Sequence, residues 1–171
     1  MKRWIAVSLL FVSAVDAQWS RFRGPNGSGV AENSSLPTTF GPNQGVVWKT
    51  ELPAGHSSPI LSGDRIFLTA AEGGQRTDAG RQKIADQGGK LYTICLNRRT
   101  GAIMWKKDVP RPRYEQYQPT NSPASPSPVT DGRSVYVFFG DFGLISYDFE
   151  GKERWRLPLG PKYDKMIDSE I

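Results

Sequence analysis

Few residues in this chain have the type and spacing to do chemistry. The one histidine, His56, closes the stretch Leu52-Pro53-Ala54-Gly55-His56. A histidine acts as base, proton shuttle or metal ligand when a carboxylate, hydroxyl or thiol partner stands beside it. No partner sits at a recognisable spacing, so a loop histidine bonded to backbone is the plain alternative. His56 stays a candidate cofactor contact. The one cysteine, Cys95, lies in the apolar run Leu91-Tyr92-Thr93-Ile94-Cys95-Leu96. It has no cationic neighbours in sequence to lower its pKa and reads as a small buried hydrophobe. With a single cysteine, no intrachain disulfide forms. Asp141-Phe142-Gly143 spells a phosphoryl-transfer metal motif, but no other part of such a site accompanies it, so it reads as a turn. Gly24, Gly27 and Gly29 miss the G-x-G-x-x-G order and lack a preceding strand, which leaves a glycine-rich turn. Lys106, Lys107, Arg111 and Arg113 interleave with Tyr114 and Tyr117, as nucleic-acid surfaces do. Intervening prolines and scattered acidic residues favour a solvated, partner-facing loop, and nucleic acid is not expected. No D-x-[DN]-x-[DN]-G calcium loop is present, and no metal site is expected.

The elements that would position these residues are repeated. Leu91 to Val109, LYTICLNRRTGAIMWKKDV, reads as strand, turn at Thr100-Gly101, and strand. A second copy runs from Leu144 to Leu159, with its turn at Glu150-Gly151. Ahead of each copy is a shorter hairpin: Ser57-Ser58-Pro59-Ile60-Leu61 with Arg65 to Thr69, then Ser127-Pro128-Val129-Thr130 with Arg133 to Phe138. Gly-bearing turns between β-rich runs are hairpin signals. Pro59 and Phe67 recur as Pro128 and Tyr136, both 69 residues on. Each unit is thus four antiparallel strands, and repetition of such units is the pattern of a β-propeller. An isolated last strand, Val46-Val47-Trp48-Lys49-Thr50, is expected before the first unit. Trp48, Trp105 and Trp155 mark equivalent positions, each followed by Lys or Arg. A repeated unit of this kind buries its faces on its neighbours. The loops differ between units. Ala71 to Lys90 is long where the second unit has Gly140 to Gly143, and Pro110 to Ser125 is long where the first unit has Leu52 to His56. Long loops on a rigid scaffold commonly carry binding.

Residues 1–17 read as a signal peptide: basic Met1-Lys2-Arg3, apolar Trp4 to Val15, and the small-residue site Val15-Asp16-Ala17. Twelve residues reach roughly 18 Å as a helix, short of a bilayer core of roughly 30 Å. A secreted or periplasmic chain without a transmembrane segment is expected after cleavage. Residues 18–45 form an irregular arm rich in Gly, Pro, Asn and Ser, with sequons at Asn26 and Asn33. Residues 46–160 are the propeller part, and 161–171 a tail without a strand phrase. The net charge of +5 becomes +4 once Lys2, Arg3 and Asp16 are removed, which favours solubility rather than a particular partner. Two units and one extra strand fall short of the about 4–8 blades that close a ring. The expectation is therefore the N-terminal part of a longer protein, with exposed edges that favour aggregation.

Cys95-Leu96-Asn97-Arg98-Arg99-Thr100-Gly101-Ala102-Ile103-Met104-Trp105 resembles the tryptophan-docking repeat A-L-D-x-x-T-G-x-x-x-W of quinoprotein-like propellers. Cys95 and Asn97 depart from it; Thr100, Gly101 and Trp105 match. In the second unit Asp148, Gly151 and Trp155 match, with one residue fewer in the turn. The arm FRGPNGSG with GHSSPIL and DRIFLTA is similar to the opening of secreted PQQ-like or BamB-like propellers. The resemblance implies structural docking roles for Trp48, Trp105, Trp155, Asn97, Asp148, Thr100, Gly101 and Gly151. It also implies, as an alternative function, a PQQ- and calcium-dependent alcohol or polyol dehydrogenase. Many such enzymes carry adjacent cysteines, which this chain lacks.

The combined expectation is all-β: about two four-stranded antiparallel blades plus an N-terminal strand, preceded by a signal peptide and an arm. Its role is a non-catalytic scaffold that contacts a protein, peptide or glycan through loops 71–90 and 110–125, with no cofactor in this segment. A quinone-dependent oxidoreductase with its active residues elsewhere is the alternative, and a propeller lyase or glycan-binding protein a third reading.

Overall fold

A computed structural model describes residues 18–31, 37–73, 89–112 and 121–159. The expected signal peptide, the Asn33 sequon, most of the two long loops and the tail lie outside these residues. The described part holds eight strands and no helix. They are β1 (Ile60–Ser62), β2 (Arg65–Ala71), β3 (Leu91–Asn97), β4 (Ile103–Val109), β5 (Val129–Thr130), β6 (Ser134–Phe139), β7 (Gly143–Asp148) and β8 (Glu153–Pro158). They form two antiparallel sheets, ordered β1-β2-β3-β4 and β5-β6-β7-β8. This is the all-β, two-unit propeller arrangement that the repeats predict.

The registers repeat as well. Ile60, Phe67, Cys95 and Trp105 stand opposite one another across the first sheet. Val129, Tyr136, Ser146 and Trp155 do the same across the second. A register shift follows Cys95 in one sheet and Ser146 in the other, at the same step of the repeat. Side chains alternate between faces along a strand. In β6 this puts Val135, Val137 and Phe139 on one face, all buried, and Tyr136 and Phe138 on the other. The inner faces pack together: Ile60, Phe67, Leu91, Cys95 and Val109 meet Val135, Val137, Phe139, Ile145 and Tyr147. Fully burying one such side chain is worth about 1.5–3 kcal/mol. Neither sheet could hide this face alone.

One expected element is absent. Val46 to Thr50 forms no ladder among the described residues. A strand exists by exchanging backbone hydrogen bonds with a neighbour, and none of the described strands lies beside this segment. It instead crosses the outer face of the first sheet, where Trp48 and Leu52 cover Ala70, Tyr92, Ile94 and Leu96. Val46 and Val47 stay exposed.

The arm is irregular over its described residues, and two of its residues are tied to the sheets. Trp19 exchanges both backbone hydrogen bonds with Leu61, at 3.0 and 2.9 Å, and Ser20 O accepts from Thr130 N at 2.9 Å. Two residues thus bond to the innermost strand of each sheet and satisfy edge groups that would otherwise stand open.

Cys95 lies in the intersheet core with no exposed surface. Burial pushes its thiol from an ordinary 9.0 up to about 11, against a smaller lowering by Arg65. We expect the native chain at pH 8 to resist a thiol reagent that labels it fully in urea. The pH dependence follows from the sign of the shift. The folded pKa exceeds the unfolded one, so this contribution to stability is intact below about pH 8.5 and is lost as pH rises through about 11. Rapid native labelling would show that the core opens at this position.

Candidate functional site

The two ends of the sheets differ. At one end are the tight turns, between β1 and β2, β3 and β4, β5 and β6, and β7 and β8. At the other end Ala71, Leu91 and Val109 stand side by side, as do Phe139, Gly143 and Pro158. The two long loops leave from this second end. Short bonds brace their bases: Ala71 N donates to Ala54 O at 2.8 Å, Glu72 N to Lys90 O at 2.8 Å, and His56 N to Ala124 O at 3.1 Å. Thr69 Oγ1 donates to the carbonyl groups of Ala124 and Pro126. Ser58 N donates to Ser127 Oγ at 2.9 Å, which ties the two lead-in segments together.

The strongest polar contact at this end joins the units. Arg111 Nε donates to Asp141 Oδ2 at 2.6 Å, with the side chains 4% and 0% exposed. Arg111 begins the loop after β4; Asp141 sits in the β6–β7 turn. Two charges taken out of water hold only while they are paired, so the pair clamps the base of one long loop to the second sheet. Sequence reasoning missed it. Asp141 read as an ordinary turn residue and Arg111 as part of a basic, solvated loop. Thirty positions apart, in connections of unlike length, the pair left no local signal. Nearby, Tyr92 OH donates to Glu72 Oε2 at 2.7 Å, and that bond, with burial, pushes the phenol up to about 12. Lys106 Nζ stands 4.3 Å from the centre of the Tyr92 ring, a cation over an aromatic face.

His56 is at this end, exposed, and its imidazole has no hydrogen-bond partner among the described residues. Arg113, Tyr114 and Tyr117 lie outside the described residues. Asn26, of the other sequon, bonds Ser28 N and Ser28 Oγ through its own side-chain oxygen.

At the tight-turn end the repeated residues form two like assemblies. Asn97 Oδ1 accepts from Arg99 N and Thr100 N, and Thr100 Oγ1 from Ala102 N. Asp148 Oδ1 accepts from Glu150 N and Lys152 N. Short polar side chains thus fold the turns before a left-handed glycine closes them. Trp48 Nε1 donates to Arg98 O at 2.8 Å, and its ring lies on Gly101. Trp105 Nε1 donates to Phe149 O at 2.8 Å, and its ring lies on Gly151. Each indole caps the turn of the unit that follows it. Arg65 adds a bond to Phe149 O and one to Glu150 Oε1. Trp155 has no such turn beneath it among the described residues; it is 44% exposed and contacts Tyr136 at 6.0 Å between ring centres.

Residues 41–165 match the family model described as outer membrane protein assembly factor BamB. The chain belongs to this family. No curated protein matches it.

BamB-type repeats share their fold class with quinone-binding propellers, so the fit of a quinone and calcium is a question of donors. Among the described residues, no three His, Cys, Asp or Glu side chains converge on one point. Asp141, the one fully buried carboxylate among the described residues, is bonded to Arg111. The donors that calcium takes, several carboxylate or carbonyl oxygens about one point, are not gathered by side chains among the described residues. Among the described residues no helix is long and apolar enough to cross a membrane.

Proposed function

We propose that this BamB-family chain is a secreted or periplasmic scaffold that offers its loop end to a protein, peptide or glycan, without catalysis in residues 1–171. The observation that carries the reading is the position of the loops. Segments 71–90 and 110–125 leave the same end of two sheets that share one core, and the Arg111–Asp141 pair ties the base of the second segment to the β5–β8 sheet. A rigid base lowers the entropy that a loop loses on binding. The family's description, an assembly factor, is in keeping with protein contact. Secretion rests on the pattern of residues 1–17.

The test uses the full chain and two variants, each with one long loop replaced by a short Gly-Ser linker. All three are crosslinked in an envelope extract. We expect one set of partners with the wild type, and its loss from both variants with the unfolding midpoint unchanged. The same wild-type protein is titrated with PQQ and Ca²⁺ in a calorimeter and assayed for dye-linked alcohol oxidation. Stoichiometric binding with turnover would overturn the scaffold reading in favour of a quinone-dependent oxidoreductase.

A further inference from the structure

The arm holds one side-chain amide in a setting suited to reaction. Asn26 and Gly27 are both exposed, in the turn that follows Gly24. Asn26 Oδ1 accepts two hydrogen bonds from one downstream residue, from Ser28 N at 3.0 Å and from Ser28 Oγ at 2.7 Å. Ser28 Oγ accepts in turn from Val30 N at 3.1 Å. That bond occupies a lone pair of the hydroxyl and leaves its proton for Asn26. Two donors therefore meet on the oxygen of one amide, and a third orients one of them. Gly27 supplies the other half. It has no Cβ, its φ is 71°, and nothing lies within 4 Å of where a Cβ would stand. No side chain of its own hinders the approach of its nitrogen to the Asn26 side chain.

Donors set on a carbonyl oxygen stabilise the charge that the oxygen takes when its carbon is attacked. The nearest nucleophile is the Gly27 backbone nitrogen. Its attack closes a five-membered ring within the chain, so no second molecule has to be brought into place.

We propose that Asn26 is a site of spontaneous intramolecular deamidation, promoted by the two Ser28 donors on Oδ1. The Gly27 nitrogen gives up its proton and bonds to Asn26 Cγ. The Cγ–Nδ2 bond breaks, and ammonia leaves with that proton. The product is a cyclic imide, which water opens at either carbonyl. One opening gives aspartate; the other gives isoaspartate, in which the main chain runs through the side-chain carbon. No reactant besides water is needed. One bond opposes the step: Gly27 N donates to Gly24 O at 3.1 Å and must let go. A neutral bond of this kind slows the step by about 2- to 13-fold. A single oxyanion donor in an enclosed site is worth about 10²–10³. Exposure reduces that gain here, and a net acceleration of about tenfold over the same sequence as a free peptide is expected.

The product bears on the arm. Isoaspartate lengthens the main chain by one carbon inside the turn that Gly24 O and Gly27 N close. Gly24 lies against the Trp19 ring, and Trp19 is what pairs the arm with Leu61 of β1. The reaction therefore loosens the arm with time. Asn97 is an internal control. Its Oδ1 also accepts two bonds, from Arg99 N and Thr100 N, but the residue after it is Arg98, with a full side chain.

The test is peptide mapping by mass spectrometry, with aspartate and isoaspartate separated by chromatography. The full chain and a synthetic peptide of residues 20–31 are incubated side by side at mildly alkaline pH. We expect Asn26 to convert about tenfold faster in the chain than in the peptide, while Asn97 stays intact. Ser28→Ala is expected to bring the chain close to the rate of its own peptide, with an unchanged circular dichroism spectrum, and Ser28→Thr, which keeps the hydroxyl, to retain the fast rate. Should Ser28→Ala disturb the fold, the comparison of wild-type chain with wild-type peptide decides. A chain that converts no faster than the peptide overturns the proposal and makes the loop a protection of Asn26. A fast rate that survives Ser28→Ala overturns the part assigned to the donors.

Discussion

Arg111→Ala and Asp141→Asn are each expected to cost about 3–5 kcal/mol in urea unfolding, since either change leaves a buried charge without its partner. Domains of this size hold about 5–15 kcal/mol in all, so each change removes a large part of the stability. The reason is desolvation. Both side chains are withdrawn from water, at 4% and 0% exposure, and the 2.6 Å bond is part of what compensates. Arg111→Lys is not a conservative change here. The bond comes from Nε, part-way along the side chain, and an ammonium at the end of a lysine stem cannot occupy that point. The double variant Arg111→Met with Asp141→Leu removes both charges and fills the space with apolar atoms. It is expected to cost far less than the sum of the single changes, because no unpaired charge remains. The pair also spans the two units, so the single variants should unfold with a lower slope against urea as the sheets separate in steps. Single changes costing under about 1 kcal/mol, the range of exposed pairs, would show that water reaches the site.

The part of the fold that was legible in the sequence is the part that local pattern determines. The β2 and β6 phrases announce themselves by β-branched and aromatic residues, and their 69-residue spacing sets the unit. The β3–β4 and β7–β8 turns announce themselves by Asn97 with Gly101 and Asp148 with Gly151. What stayed hidden depends on partners distant in the chain. Val-Val-Trp reads as strand by propensity, yet a ladder needs a neighbour and the segment has none among the described residues. Trp19 and Ser20 sit in a stretch without period, and only the free edges of β1 and β5 explain their pairing. The Arg111–Asp141 clamp depends on where a long loop folds back, which no spacing rule states. That clamp is the centre of the candidate site, so the site was far less readable than the fold.

Gly151→Ala is expected to cost about 3 kcal/mol in the wild type and only about 1 kcal/mol once Trp105 is Ala. Two penalties act at this glycine. Its φ of 81° lies in the left-handed region, where a side chain adds about 1–2 kcal/mol. A Cβ there would also lie 2.8 Å from Trp105 Cδ2, 2.9 Å from its Cγ and 3.0 Å from Lys107 Cε. The lysine tip can swing away. The indole cannot, since its N–H is held on Phe149 O and its ring packs at 5.9 Å from Phe67 and 5.8 Å from Tyr147. Gly132→Ala separates the two penalties: that glycine has φ 88° with nothing within 4 Å of the added carbon, so it carries the backbone cost alone. Trp105→Ala by itself should cost about 3 kcal/mol, the low end for a large aromatic, because the ring is only half-buried. Urea titrations of the four members of the Trp105/Gly151 cycle, with Gly132→Ala beside them, read the coupling directly. A Gly151→Ala loss equal to that of Gly132→Ala in both backgrounds would mean that the indole gives way, and that the first sheet holds the second by its apolar row rather than by the capped turn.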